Sequence, residues 1–176
     1  CTQSWCKIEG FGPLKGNTMK VIGLLGKKGS GKGTVAAALQ GIHYVELAFA
    51  DPLYEEVSEA FGVPIARLKN RGTKEDIDPA LKLTCCQDPK FMGIAQKWCI
   101  DDRNNVRNQG GYIISPLDGH FMLSPRRVLQ LWGTEYRRAD DNFYWVKKLD
   151  ARLKLLKQEG CDAVVISDVR EAMEAA

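Results

Sequence analysis

Histidine is scarce in the 176 residues: only His43 and His120 occur. Neither stands at metal-ligand spacing from a cysteine, and none of the six cysteines (Cys1, Cys6, Cys85, Cys86, Cys99, Cys161) forms a Cys-x-x-Cys pair. That argues against a zinc site and for reduced, mostly structural thiols in a reducing compartment. No apolar run approaches the roughly 18 residues that a membrane span needs. Residues 1–18 lack an apolar core between a basic end and a small-residue cleavage site, so they do not read as a signal peptide. A charge excess is missing as well. The 25 Lys and Arg against 22 Asp and Glu leave +3, too little to argue for a nucleic-acid binder. A cytoplasmic protein without membrane or nucleic-acid partners is expected.

What is present suits one α/β domain with a real core: 44% hydrophobic and 27% charged residues. Met19 stands directly before the first strong pattern, so residues 1–18 read as an appended segment without assigned function and 19–176 as the domain. Lys20-Val21-Ile22-Gly23-Leu24-Leu25 reads as a buried strand, followed by a glycine-rich turn and a helix through Val35 and Leu39. Tyr44 to Ala50 reads as a second strand. Asp51-Pro52 reads as an N-cap with proline at the first helical position, opening a helix with Leu53, Val57 and Phe61 at spacings of four. Residues 62–123 look irregular, apart from a hairpin of Tyr112-Ile113-Ile114 and Phe121-Met122-Leu123 flanking Asp118-Gly119. Ser124-Pro125 starts another helix. A further one begins at Asn142, with an apolar face of Phe143, Val146, Leu149, Leu153 and Leu156, and ends at Gly160. Ala163-Val164-Val165-Ile166 is the continuous apolar run of a strand covered on both faces. The alternation implies a mainly parallel sheet.

The stretch from Gly26 to Thr34, Gly-Lys-Lys-Gly-Ser-Gly-Lys-Gly-Thr, carries the most chemistry. A triphosphate needs several N–H donors close together at the positive end of a helix, and glycines let the backbone fold around it. Lys32 is placed to reach the β- and γ-phosphates. The candidate phosphate-binding residues are Gly26, Lys28, Gly29, Ser30, Gly31, Lys32, Gly33 and Thr34. With the strand before and the helix after, the stretch reads as a P-loop in a three-layer α/β/α fold, residues 62–123 forming an irregular substrate-binding insertion or lid. Gly33 separates Lys32 from Thr34, where the general P-loop pattern has Ser or Thr directly after the lysine. In this the loop resembles that of adenylate-kinase-like nucleoside monophosphate kinases. Thr34 would then support Mg²⁺ directly or through water.

In open α/β sheets ligands sit beyond the carboxyl ends of the strands, where Asp51 and Asp168 fall. Asp168 resembles the carboxylate that P-loop proteins aim at Mg²⁺ or its waters. Asp51 can serve as helix cap or as substrate contact, and the sequence leaves both open. Arg126, Arg127, Arg137, Arg138 and Arg170 cluster around these elements, and planar guanidinium groups suit the charge spread over a transferring phosphoryl group.

Four motifs in order resemble those of bacteriophage deoxynucleoside monophosphate kinases. They are Phe49-Ala50-Asp51-Pro52-Leu53; Arg126-Arg127 with Gln130 and Gly133-Thr134-Glu135; Tyr144-Trp145-Val146; and Asp168-Val169-Arg170. The resemblance runs from Met19 to about Arg170 and is weak over residues 62–123. It implies transfer of phosphate from ATP to a deoxynucleoside monophosphate with Mg²⁺, and suggests a homodimer. It assigns the monophosphate to Arg127, Gly133 and Thr134 with Arg137 or Arg138 nearby, and Arg170 to the substrate or the transferring phosphate. Arg71, Lys74 and Glu75 would belong to the substrate side. Lys32, Arg127, Arg138 and Arg170 would carry the chemistry. Two departures stand out. Tyr54 occupies a position often basic in that family, and the chain stops at Ala176, where the family continues with a helix and strand.

Rival readings are another small-acceptor kinase of the dephospho-coenzyme A kinase kind, a nucleotide switch or an ATPase motor. No Asn-Lys-x-Asp base-reading motif occurs, and Val169 stands where a motor would carry a water-activating Glu. A non-catalytic nucleotide-binding module is disfavoured by Lys32 and Thr34.

Overall fold

The computed structural model describes residues 7–10, 19–27, 29–104, 112–114 and 120–169. In chain order the elements are β1 (Lys7–Gly10), β2 (Lys20–Leu25), α1 (Lys32–Gln40), β3 (Val45–Leu47), α2 (Ala50–Phe61), α3 (Ile65–Lys69), α4 (Pro89–Asn104), β4 (Tyr112–Ile114), β5 (Phe121–Leu123), α5 (Pro125–Gln130), α6 (Tyr144–Gln158) and β6 (Ala163–Ile166). Two compact units result: Cys1–Asp51 with Phe143–Ala176, and Pro52–Asn142.

The first unit is built on a four-stranded sheet in the order β1-β2-β6-β3. Strand β6 pairs in parallel with both β2 and β3, in register Val21↔Val164 and Leu47↔Ile166. A strand in that position is covered on both faces, and Val164, Val165 and Ile166 are accordingly buried. Helix α1 packs on β2, β3 and β6. Leu24, Ala36 and Val165 form a fully buried core there, flanked by Ile22, Val35, Leu39 and Tyr44. Full burial of a Leu or Val side chain such as Leu24 or Val165 contributes roughly 1.5–3 kcal/mol.

Four expectations change in this unit and at its border. Lys7–Gly10, read above as part of an appended segment, is an antiparallel edge strand on β2. The second strand is three residues long, and α2 begins at Ala50 rather than after an Asp51 cap. The reason is a carboxylate from far along the chain, described below. On α6, Trp145, Leu149 and Leu156 are buried, whereas Phe143 is 51% exposed. Phe143 is the N-cap residue and stands before the first residue of the helix. The apolar run at residues 163–166 forms a strand as expected.

The second unit holds more regular structure than residues 62–123 suggested. Helix α4 runs for 16 residues with Phe91, Ala95 and Cys99 fully buried at spacings of four. The hairpin forms, Tyr112 opposite Leu123 and Ile114 opposite Phe121; its Asp118-Gly119 turn lies outside the described residues. Ser124 caps α5, its Oγ accepting the Arg127 N–H at 3.2 Å, with Pro125 at the first helical position. The helix then widens into a π-helical segment, Leu131–Arg138. Sequence periodicity gave no sign of this.

The chain is thus a mixed α/β protein with a small, mainly parallel sheet and six α-helices among the described residues. No helix among them is long and apolar enough to cross a membrane. Cys85, Cys86, Cys99 and Cys161 are free thiols.

Candidate functional site

The glycine-rich loop joins the end of β2 to the start of α1. Gly26 has φ 156°, and a Cβ there would lie 2.5 Å from the Ser30 hydroxyl oxygen, so only glycine fits without displacing the loop. Gly31, at φ 86°, turns the chain into α1. Among the described residues no side chain caps that helix, and no acidic residue stands in its first turn. Its leading N–H groups and the positive end of its dipole are therefore open to an anion. The Ser30 hydroxyl is buried with no hydrogen-bond partner among the described residues, a polar atom inside the loop that a ligand oxygen would satisfy. The Lys32 ammonium folds back over the loop, donating to the carbonyls of Gly26 and Lys27, the latter at 3.0 Å. Gly33 and Thr34 are exposed in the first turn. Lys28 lies outside the described residues.

At the carboxyl end of β6, the Asp168 carboxylate accepts the Phe49 N–H at 2.6 Å and the Ala50 N–H at 3.1 Å. These are the amides at the head of α2, so a residue more than a hundred positions away caps that helix and fixes where it starts. Asp51 folds back instead, its carboxylate accepting the Ala48 N–H at 3.1 Å. Among the described residues no group of three or more His, Cys, Asp or Glu side chains gathers as a metal site. Thr34 and Asp168 do offer oxygens, the donor type a hard cation takes when phosphates and waters supply its other ligands.

The second unit holds the arginine-bearing helix. Arg127 is buried on α5, with Nη1 3.5 Å from Gln130 Oε1. Gly133, Thr134, Arg137 and Arg138 follow on the π-helical segment of the same continuous run. Gly133 is buried beside Leu53, while Thr134 is exposed. Helices of the π class concentrate at functional sites. Lys74 Nζ donates to the Tyr54 hydroxyl at 2.8 Å, and Lys69 and Lys74 both stand over the Tyr54 ring, 4.9 and 5.2 Å from its centroid. Lysines thus bring positive charge to the Tyr54 side chain. Arg71 is exposed in the neighbouring turn, and Glu75 is ion-paired with Arg126 at 2.7 Å. Arg170 lies outside the described residues.

Several residues around this helix had no role in the sequence reading. Glu56 Oε2 accepts both Trp132 Nε1 at 2.9 Å and Arg137 Nε at 2.8 Å. The Arg137 guanidinium lies 4.3 Å over the Tyr136 ring. The Tyr136 hydroxyl donates to Asp88 Oδ2 at 2.7 Å, and Asp88 Oδ1 accepts the Phe91 N–H at 3.0 Å. Asp88-Pro89 carries a helix-start signal that the sequence reading passed over; Glu56 carries no local signal.

The electrostatics follow. Burial pushes the Asp88 carboxyl up, but the Phe91 and Tyr136 hydrogen bonds and the Arg137 charge together hold it below the ordinary carboxylate value. Burial first, then the bond to Asp88, pushes the Tyr136 phenol up to about 12. A raised phenol favours the folded state fully below its ordinary value of 10, and that contribution is lost as pH rises through about 12. Absorbance titration is expected to show one tyrosine ionising near 12, absent in Tyr136→Phe, which is also less stable by roughly 1 kcal/mol at neutral pH. A normal titration of all tyrosines would contradict the Tyr136–Asp88 bond.

No protein-family model matches the chain, and no curated protein matches it.

Proposed function

We propose that the protein is a P-loop kinase of the three-layer α/β/α class, transferring the γ-phosphoryl group of ATP to a nucleoside monophosphate, most suitably a deoxynucleotide. The observation that carries this reading is the loop between β2 and α1. It combines a glycine in a backbone conformation that other residues rarely adopt, an uncapped helix N-terminus, a hydroxyl buried without a partner among the described residues, and a lysine folded over the loop. Those features suit a polyphosphate. The order Gly-Ser-Gly-Lys-Gly-Thr and the arginine-bearing helix narrow the reading towards monophosphate acceptors.

In this reading the amides at the start of α1 and Lys32 hold the donor phosphates. Thr34 and Asp168 would hold Mg²⁺; both Asp168 oxygens already accept backbone N–H groups, so its remaining lone pairs suit the ion's water shell. When bound, Mg²⁺ neutralises charge on the transferring group. Arg127, Thr134 and Arg138, with Arg170, hold the acceptor phosphate, and Lys74 stands on the substrate side. The acceptor oxygen attacks in line. It is already anionic, so positioning and charge neutralisation suffice and no strong general base is needed.

The test is ATP with each common ribo- and deoxyribonucleoside monophosphate, reading diphosphate formation. At least one deoxynucleoside diphosphate is expected. ATP hydrolysis indifferent to added monophosphates, or phosphorylation of dephospho-coenzyme A alone, would sink the reading.

A further inference from the structure

The π-helical segment is held on two sides by groups that belong to neither the phosphate loop nor the assigned acceptor residues. A π-helix is rare and normally occurs as a single turn inside an α-helix. Here it extends over eight residues, Leu131–Arg138, so side chains must support it. On one side stands Glu56 of α2. A single carboxylate oxygen accepts from Trp132 Nε1 and Arg137 Nε, at opposite ends of the segment. Both members of the ion pair are largely sequestered, with 24% of the Arg137 side chain and 14% of Glu56 exposed. On the other side, Tyr136 donates to Asp88, whose second oxygen caps α4 through the Phe91 amide. The Phe91 ring lies 4.5 Å from Trp132 and 5.9 Å from Tyr136.

Arg137 closes the two halves. One edge is spent on Glu56, and its guanidinium stands over both rings, 4.3 Å from Tyr136 and 5.4 Å from Trp132. A guanidinium committed in this way is used for holding protein together. Thr134, by contrast, is exposed, and Arg138 is partly so.

We infer that Glu56, Arg137, Tyr136 and Asp88 form a clamp that sets the π-helical segment, and that Arg137 is a positioning residue for Thr134 and Arg138 rather than a ligand of the acceptor phosphate. The kinetic part rests on the monophosphate-kinase reading; the clamp itself does not. Glu56 and Arg137 act as one unit, so losing either releases the same segment and losing both adds nothing.

The experiment uses the full chain with Glu56→Gln, Arg137→Met and the double variant. Each single change is expected to raise the KM for the monophosphate about tenfold, with the KM for ATP within about twofold, and the double variant to match the worse single. Amide hydrogen exchange over residues 131–138 is expected to quicken in all three. Three results overturn the inference: additive effects in the double variant; exchange unchanged in the single variants; or a raised KM in Arg137→Met while Glu56→Gln stays normal, which would make Arg137 a direct phosphate ligand. Should Arg137→Met fail to fold, Tyr136→Phe removes only the hydroxyl donor to Asp88 on the other side of the segment. Faster exchange there supports the clamp, and unchanged exchange overturns it. If the unaltered chain phosphorylates no monophosphate, the kinase reading has failed, and the exchange measurements still decide the clamp.

Discussion

Lys32→Ala is expected to lower turnover roughly 10²- to 10³-fold, while the thermal unfolding midpoint moves by no more than about 3 °C. The asymmetry follows from where the ammonium sits. Its bonds go to two carbonyls of its own loop, at an exposed position, so their loss costs the fold at most about 1 kcal/mol. The same ammonium is the cation that the proposed chemistry places against the transferring phosphoryl group. Steady-state kinetics with ATP and the best monophosphate, beside a thermal melt, reads both quantities. Turnover near that of the unaltered protein would remove the loop from the chemistry.

For Asp168→Asn a loss on both axes is expected. Two N–H groups at the head of α2 point at two carboxylate oxygens, and an asparagine can turn only one oxygen towards them. The other amide then faces an NH₂ group, at a cost of roughly 1–3 kcal/mol, or about 2–10 °C in the melting midpoint. The charge that suits both the helix N-terminus and a bound cation disappears as well. The variant should therefore need more Mg²⁺ for half-maximal turnover. A melt unchanged from the unaltered protein would contradict the capping role, and an unchanged Mg²⁺ requirement would contradict the metal role.

Much of the first unit was legible because its signals are local. The apolar runs at residues 20–25 and 163–166 could only be strands, and the glycines between β2 and α1 announce their own geometry. The head of α2 was misplaced because its cap comes from Asp168. Asp51-Pro52 is a sound local signal that a distant carboxylate overrides. Phe143 fits the α6 period by spacing but lies one residue too early, and Trp145 takes the buried place.

The second unit was harder to read. Helix α4 was detectable: Asp88-Pro89 opens it, and Phe91, Ala95 and Cys99 recur at four. Its neighbours Gly93 and Trp98 blur the amphipathic pattern, and Trp98 is 40% exposed. The candidate acceptor residues were found through their order along the chain. Their supports were not, since Glu56 and Trp132 stand 76 positions apart and Asp88 and Tyr136 48 apart. A π-helical run has no sequence period of its own in the handful of residues it occupies.

The strand order also bears on how the molecule is made. Strand β6 lies between β2 and β3, which are synthesised some 120 to 140 residues earlier. On the ribosome, the continuous unit Pro52–Asn142 has all its internal partners once Asn142 emerges, whereas β2 and β3 wait for Ala163–Ile166. Such long-range pairing is entropically slow to form. The glycine-rich loop therefore gains the full sheet that frames it only when β6 emerges, after the arginine-bearing helix has already been made.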